Sequence, residues 1–498
     1  MREQRDGTDR VTGELTGTSP APDPLRWRIL TLLALVQFML VIDATAVNIA
    51  LPSIGGDFGL TSLGLAWVVN GYLLTAGGLL LLGGRLADLI GRRTMFLLGT
   101  VVFTLASLVC GLSQSGGMLI GGRFAQGVGE ALAAPAALSL VALLFTDQRE
   151  RAKAFGIWGG IAGLGAVFGL LLSGVLTDLA TWRWVFLINV PVAIVPLVLV
   201  PRLIRGGRSP EIDRRTDVVG AALVTGGMLA VVYGLLQAGQ YGWPRLTTLA
   251  PLIGGLVALG TFLWWESRTA APLVPMRFFA NRTRVAANVC TILVAGSMMA
   301  MFFLVVLYMQ DILGFGPLRA GLAYMPFMVT FTVGLGLSTN LVPRVGARNT
   351  IVFGLVAAAV GMFLLTRIEA DGSYLTQLMP ATLVLGFGLG LVNPAMANAA
   401  LHRVSELDAG LASGVQTTVM QVGSATGVSI LAALAAQHTA GLTATGTAAA
   451  DATVAGYMFS FLIAGVILVI GAVAMLLVME RVTVVSAKPG EPLPVSTG

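Results

Sequence analysis

The sequence predicts an all-α membrane protein: fourteen transmembrane helices, arranged as two six-helix halves with two further helices inserted between them. Three observations carry this reading. Of 498 residues, 56% are hydrophobic and only 11% charged, and mean hydropathy is +0.86, whereas soluble domains carry roughly 25% charged residues. Apolar runs of about 20 residues, long enough to cross a hydrocarbon core, recur fourteen times. Basic residues concentrate in alternate loops, as membrane orientation requires.

Residues 1–28 are polar and read as a disordered cytoplasmic tail. The first apolar run starts near Ile29, too far along for a cleavable signal peptide, and reads as a retained span. Later runs start near Leu65, Thr94, Met118, Ala154 and Trp184 and complete a first half at 29–204. Val218 and Thr247 open the two inserted spans within a linker at 205–284. Val285, Ala320, Asn349, Leu375, Ala409 and Ala455 open the spans of the second half, 285–480, and 481–498 form a second cytoplasmic tail.

With fourteen spans and the N-terminus inside, cytoplasmic segments hold 25 of the 30 basic residues. Arg183, Arg245, Arg319 and Arg367 fall on outside loops or their edges, and Arg123 lies within a span. An odd number of spans would exchange half the loops and blur this asymmetry. Both termini are therefore expected in the cytoplasm, in a chain crossing the cell membrane. These loops account for the net charge of +6, so no nucleic-acid partner is implied. Cys110 and Cys290 each sit in an apolar run and give neither a disulfide framework nor a Cys-based metal site.

The two halves are read from an internal repeat. GRLADLIGRR (Gly84 to Arg93) joins the second and third spans, and TNLVPRVGAR (Thr339 to Arg348) joins the tenth and eleventh. Both keep a Gly followed two residues later by Arg: Gly91 and Arg93, Gly346 and Arg348. The fourth span carries Gly127, Gly129 and Pro135, and the twelfth carries Gly386, Gly388 and Pro394 at the same spacing. Repeats of this kind place a substrate site near the bilayer midplane, between the halves. Shared glycines and prolines read as scaffold. Arg123 and Glu130 have Thr382 and Leu389 at their counterparts, so these charges belong to one half only.

Charge within a lipid-buried helix needs a compensating reason. Arg123 and Glu130 are seven residues apart, so they share a helix face about 10 Å apart along the axis, with Gln126 and Gly127 between them. Counting about 1.5 Å per residue, Asp43 of the first span and Arg123 lie at matching depths, about 9 and 8 Å from the outer surface. An Asp43–Arg123 pair is expected. Glu130, about 18 Å deep by the same count, has no basic residue at its level. An unpaired acid there should be protonated when dry and ionised when water or a cation reaches it. Proton and cargo would then compete for one group. In GRLADLIGRR, Gly84, Arg85, Asp88, Gly91, Arg92 and Arg93 form a short charged cytoplasmic loop able to latch helix ends. The fifth span is dense in small-xxx-small pairs such as Gly156/Gly160 and Gly165/Gly169, which read as close packing.

Several segments resemble the major facilitator superfamily, specifically its fourteen-helix drug:proton antiporter branch of bacterial multidrug exporters. GRLADLIGRR is similar to the superfamily's cytoplasmic loop signature, with Asp88 and Arg92 at its charged positions. RFAQGVGEALAAP (Arg123 to Pro135) resembles the fourth-helix motif, whose arginine the family implicates in proton coupling. IDATAVNIALP (Ile42 to Pro52), WRWVFLINVP (Trp182 to Pro191) and PLVPMRFFANRT (Pro272 to Thr283) are branch-like, and the resemblance spans essentially the whole chain. The fifth helix departs from the branch pattern: GLLLSG (Gly169 to Gly174) places Leu170 where proline is usual and Ser173 where the first of two late glycines is usual.

The resemblance implies a proton-coupled antiporter that exports amphipathic small molecules (drugs, dyes or antibiotics) by alternating access, with one chain sufficing. Glu130, Asp43 and Arg123 are the coupling candidates. Asn48, Asn70, Tyr72, Gln126, Tyr324, Phe327, Asn393 and Asn398 are candidates for lining the substrate site. A transporter dedicated to one metabolite, outward or inward, is the second reading, and a non-transporting membrane scaffold the third. The sequence contains no Walker-type phosphate loop, HExxH or GxSxG, so an enzyme is not expected, nor any cofactor.

Overall fold

The computed structural model describes residues 25–145, 147–204, 217–269, 272–274, 278, 280–400 and 409–480. The expected tails lie outside them except for residues 25–28, of which Arg26 already opens the first helix. The first bundle comprises α1 (Arg26–Phe58), α2 (Ser62–Ile90), α3 (Arg92–Gly111), α4 (Gly116–Leu144), α5 (Gln148–Leu179), and the short α6 (Trp184–Leu187) continuing into α7 (Asn189–Leu203). An inserted hairpin, α8 (Val218–Tyr241) and α9 (Leu246–Glu266), follows. The second bundle comprises α10 (Arg282–Leu307), α11 (Pro317–Ala323) leading into α12 (Met325–Val345), α13 (Ala347–Leu365), α14 (Met379–Ala400), α15 (Ala409–Ala444) and α16 (Ala449–Val478). Wider π turns, Tyr308–Ile312 and Tyr374–Leu378, extend the outer ends of α10 and α14.

Thirteen of the described helical stretches are long and apolar enough to cross a bilayer. The fourteenth expected span is α5, a 32-residue helix with a shorter apolar stretch at Phe168–Leu179. Several helices overrun the roughly 20 residues a bilayer requires: α1 has 33 residues and α15 has 36. Such lengths imply tilt or projection beyond the hydrocarbon.

Polar caps fix where the helices begin. Thr61 accepts from the Gly64 N–H, Ser115 from Met118, Asp217 from Gly220 and Asn281 from Arg284, each satisfying a donor that the first turn leaves orphaned. Gly91 and Gly346 end α2 and α12 at φ 115° and 84°, a backbone region open mainly to glycine. The following arginines explain the shared Gly-x-Arg spacing. Arg93 Nη2 donates to the Pro201 carbonyl at 2.9 Å, and Arg348 Nη2 to the Leu476 carbonyl. Each therefore binds the last helix of its own bundle.

The recurring glycines are contact points. A methyl group at Gly127 would strike α2 near Tyr72 and Thr75, and one at Gly129 would strike the α3 backbone at Phe103. Gly386 and Gly388 stand in the same relation to α12 at Phe327 and α13 at Ala358. In both bundles the central helix is thus drawn against two neighbours. Pro135 and Pro394 sit inside their helices, where surrounding helices accommodate the freed carbonyl.

The bundles meet along two seams, α2 with α15 and α5 with α11 and α12. Toward the ends assigned outside by the arginine distribution, both are closed. On the first seam Asn70 Nδ2 donates to Ser429 Oγ at 2.9 Å, and on the second Gly174 abuts Pro317; between them, Gln310 Nε2 at the end of α10 donates to the Ile49 carbonyl of α1 at 2.8 Å.

Candidate functional site

Asp43, Arg123 and Gln126 are fully buried and joined directly. Arg123 Nη1 donates to Asp43 Oδ2 at 2.5 Å and to Gln126 Oε1 at 2.8 Å, while its Nε donates to the Val68 carbonyl at 3.0 Å. Gln126 Nε2 donates to Asp43 Oδ1 at 2.9 Å and to Ser107 Oγ at 2.7 Å. Asn189 Nδ2 also donates to Asp43 Oδ1, at 2.8 Å. The guanidinium stacks 4.3 Å from the Tyr72 ring centre. One ion pair thereby ties α1, α2, α3, α4 and α7 together. Burying a charge pair is tolerable only when its remaining hydrogen-bonding positions are met, and here both carboxylate oxygens have donors.

Glu130 lies fourteen residues from each end of α4, about 21 Å by helix rise and therefore at mid-membrane. Its Oε1 accepts from Gln421 Nε2 of α15 at 3.3 Å. Its Oε2 is buried with no hydrogen-bond partner, although the Tyr72 hydroxyl faces the carboxyl group. The acid therefore stands at the seam between bundles, linked to the second by one long hydrogen bond. Tyr72 lies between the two sites: its ring stacks on Arg123, and its hydroxyl, beside Glu130, donates to the Leu40 carbonyl at 3.4 Å.

A cavity of about 530 Å³, counted with its open mouth, lies between the bundles. Thr45 and Asn48 of α1 and Leu170 of α5 form one wall; Met298, Met299 and Phe302 of α10 with Phe327, Met328 and Phe331 of α12 form the other. Phe327 packs edge-on to Phe302, with ring centres 5.2 Å apart, and stacks with Phe331 at 6.0 Å. Flexible, polarisable methionines beside aromatic rings make a surface that adapts to varied apolar ligands. Asn48 is the polar handle: its amide donates to the Thr45 carbonyl at 3.1 Å, and its Oδ1 is buried without a partner.

Among the residues expected to line a substrate site, Asn48 and Phe327 do so. Asn70 bonds across the α2–α15 seam, while Tyr72 and Gln126 belong to the ion-pair cluster. Tyr324 donates to the Phe302 carbonyl at 3.0 Å and supports the aromatic wall from behind. Asn393 and Asn398 are exposed on α14 and lie outside the cavity lining. The expected cytoplasmic loop is almost wholly helical: residues 84–90 are the last turns of α2, and Arg92 opens α3 after the single residue Gly91, so Asp88 pairs with Arg92 across that break at 3.1 Å, both partly exposed. The repeat puts Pro343 and Ala347 at these two places, so the pair is peculiar to the first bundle, unlike Arg93. Gly84 makes only ordinary contact with Pro135; the glycine that close packing demands is its neighbour Gly83, against the Ala131 carbonyl. Of the small-residue pairs on α5, Gly165 and Gly169 pack on α1, whereas Gly156 and Gly160 face open space.

A family model described as Major Facilitator Superfamily matches residues 33–428. The chain belongs to that superfamily. It is 40% identical over 472 residues to a puromycin resistance protein of Streptomyces alboniger, covering 92% of this chain and 93% of that one. It is 40% identical to a lincomycin resistance protein of Streptomyces lincolnensis, covering 81% of this chain and 83% of that one, and 37% identical to a cephamycin export protein of Amycolatopsis lactamdurans, covering 86% and 88%. Among solved structures it is similar to a bacterial homologue of the human lysosomal transporter Spinster in an inward-facing, unoccupied conformation, with TM-score 0.67 and 18% identity over 91% of this chain and 97% of that one. It is also similar to an auto-inhibited peptide transporter of the POT family, with TM-score 0.65 and 16% identity over 90% and 96%. Likeness at these identities is one of fold.

This major facilitator transporter also uses residues that sequence reasoning passed over. Ser107 and Asn189 complete the ion-pair cluster, Gln421 reaches Glu130, and five Met and Phe side chains besides Phe327 build the cavity wall. Asn189 lay within the quoted WRWVFLINVP segment, a polar residue in an apolar run, which was the available signal. The cavity wall had one too, in the Met- and Phe-rich strings SMMAMFF (Ser297 to Phe303) and MPFMVTF (Met325 to Phe331).

Proposed function

We propose that this transporter exports amphipathic, partly aromatic small molecules of the antibiotic class in exchange for protons, with Glu130 as the exchanging acid. The observation that supports this most directly is the position of Glu130: mid-membrane, at the seam, with one oxygen unpartnered and the other bonded across to Gln421. Rocking the bundles must break or remake that bond, which couples the acid's protonation to the side on which the cavity opens. A dry seam tolerates the neutral carboxyl far better than the carboxylate, which needs water or a cationic group. Asp43 and Arg123 act as the fixed counterpart: a charge pair held by Gln126 and Asn189, maintaining α4 and Tyr72 in place beside Glu130. Asp88 and Arg92 form the cytoplasmic latch, making and breaking contacts as the α2–α3 junction moves. Similarity to antibiotic resistance and export proteins supports the outward direction. The Met and Phe wall supports a broad substrate range over a single dedicated metabolite. Both bundles and the whole cavity come from one chain, which supports a working monomer.

The test is transport in proteoliposomes under an imposed pH gradient, with puromycin and an aromatic cationic dye as probes. The native protein should accumulate both, and Glu130→Gln should abolish gradient-driven movement while the protein remains inserted and folded. Undiminished antiport by Glu130→Gln would remove this acid from the mechanism.

A further inference from the structure

We propose that the two seams between the bundles are unequal, and that amphipathic substrate passes sideways between the inner leaflet and the cavity only through the α5–α12 seam. The α8–α9 hairpin seals the other. This deepens the export reading and rests on it.

The sealed side is built from both the hairpin and the segment after it. Thr225 of α8 packs against Gly78 of α2, Tyr233 lies 6.2 Å from Trp67 of α2, and Gln437 of α15 donates to the Ala238 carbonyl of α8 at 2.5 Å. α8 therefore lies along the groove where α2 and α15 meet. At its cytoplasmic end, Leu273, Val274 and Phe278 bury their side chains in a cluster with Ala412 and Val415 of α15, against which Leu81 and Leu82 of α2 pack. Glu266 fixes this strap by accepting the Leu273 and Val274 N–H groups at 3.1 and 3.3 Å. In consequence, none of residues 79–89 on α2 or 411–419 on α15 is exposed.

Among the described residues the other seam has no such cover. Below the closed contact of Gly174 with Pro317, seven of the nine residues 332–340 on α12 are exposed. The two buried ones, Gly334 and Ser338, face α14. Phe331 lines the cavity, and Leu335 and Thr339 continue its face at one and two further turns, yet both are exposed. Toward the cytoplasmic end of α5, Gly156 and Gly160 are exposed, and a side-chain carbon at either, as at Gly336 of α12, would meet no atom within 4 Å. Phe331 lies fourteen residues from each end of the stretch Pro317–Val345, at the depth where acyl chains end. A molecule dissolved in the inner leaflet thus reaches the Met and Phe wall without crossing water.

The experiment uses the full-length transporter in phosphatidylcholine vesicles doped with a phosphatidylcholine bearing a diazirine at the end of one acyl chain. Light should label the cavity segment Met298–Phe302 of α10. Gly160→Trp with Gly336→Trp, or either alone, should reduce that labelling at least fivefold, whereas Val257→Trp, on the exposed lipid face of α9, should leave it unchanged. Absence of label on Met298–Phe302 in the unsubstituted protein, or label undiminished by both tryptophans, overturns the proposal. Because labelling needs no proton gradient, its outcome is separable from the export assay on Glu130→Gln.

Discussion

Removing either member of the buried Asp43–Arg123 pair is expected to destabilise the first bundle severely, while neutralising both together should restore much of the loss. In Arg123→Gln, Asp43 keeps two neutral donors, Gln126 at 2.9 Å and Asn189 at 2.8 Å, but loses its cation in a site with no exposed surface. An attraction of about 4 kcal/mol is expected for unit charges about 4 Å apart at an effective dielectric of about 20. Orphaning one buried partner typically costs about 3–5 kcal/mol. Asp43→Asn should cost less, because Arg123 retains the Val68 carbonyl, the Gln126 oxygen and the Tyr72 ring, the last worth up to about 2 kcal/mol when desolvated. The double variant Asp43→Asn/Arg123→Gln leaves no unpaired charge, so a coupling of about 2–3 kcal/mol should emerge from the cycle. Denaturant titration of the detergent-solubilised protein, followed by tryptophan fluorescence, measures all four corners. Additivity within about 0.5 kcal/mol would refute the claim that these residues act as one unit.

Four further outcomes follow from the geometry. Gln421→Leu deletes the bond from α15 to Glu130, worth about 1 kcal/mol, and should change the ratio of inward- to outward-open molecules about fivefold, read as spin-label distances across the cytoplasmic ends. Gly83→Ala drives a methyl into the Ala131 carbonyl and should lower thermal stability markedly; Gly156→Ala, with open space around it, should be neutral or gain up to about 1 kcal/mol, and an equal response at both sites would contradict the packing described. Phe327→Ala opens the aromatic wall and should raise the apparent KM for an aromatic dye at least tenfold with little change in maximal rate, since ring pairs contribute about 0.5–1.5 kcal/mol beyond area burial. Asp88→Asn should leave unfolding within about 1 kcal/mol, as for other exposed pairs, but slow export; unchanged export would remove the latch from the cycle.

What could be read from the sequence depended on whether a residue's chemistry was unusual for its surroundings. Arg123 and Asp43 are conspicuous in apolar runs, and counting residues from the span ends placed them at matching depths; the structure puts them 2.5 Å apart. The Gly-x-Arg repeat was equally legible, although its purpose, tying each loop to the last helix of its bundle, emerges only from Arg93 and Arg348 in place. Gln421 was hidden because a glutamine in a small-residue helix has no required partner, and its contact with Glu130 joins positions 291 residues apart. Met298, Met299 and Phe331 lay in conspicuous Met- and Phe-rich strings, but their role was not legible, because an apolar side chain against a cavity has the same pattern as one against a neighbouring helix. The choice between Gly83 and Gly84 turned on helix rotation, which a one-residue shift moves by about 100°.

The cavity described above is made of two unlike walls. The charged groups sit on α1 and α4, held mainly by α2, α3 and α7, while most of the oily lining comes from α10 and α12. Drift in which compounds are tolerated is therefore free to accumulate by exchanging one bulky side chain for another on α10 or α12, leaving the energising machinery intact. A lineage meeting new toxins would need to alter only one side of its pump.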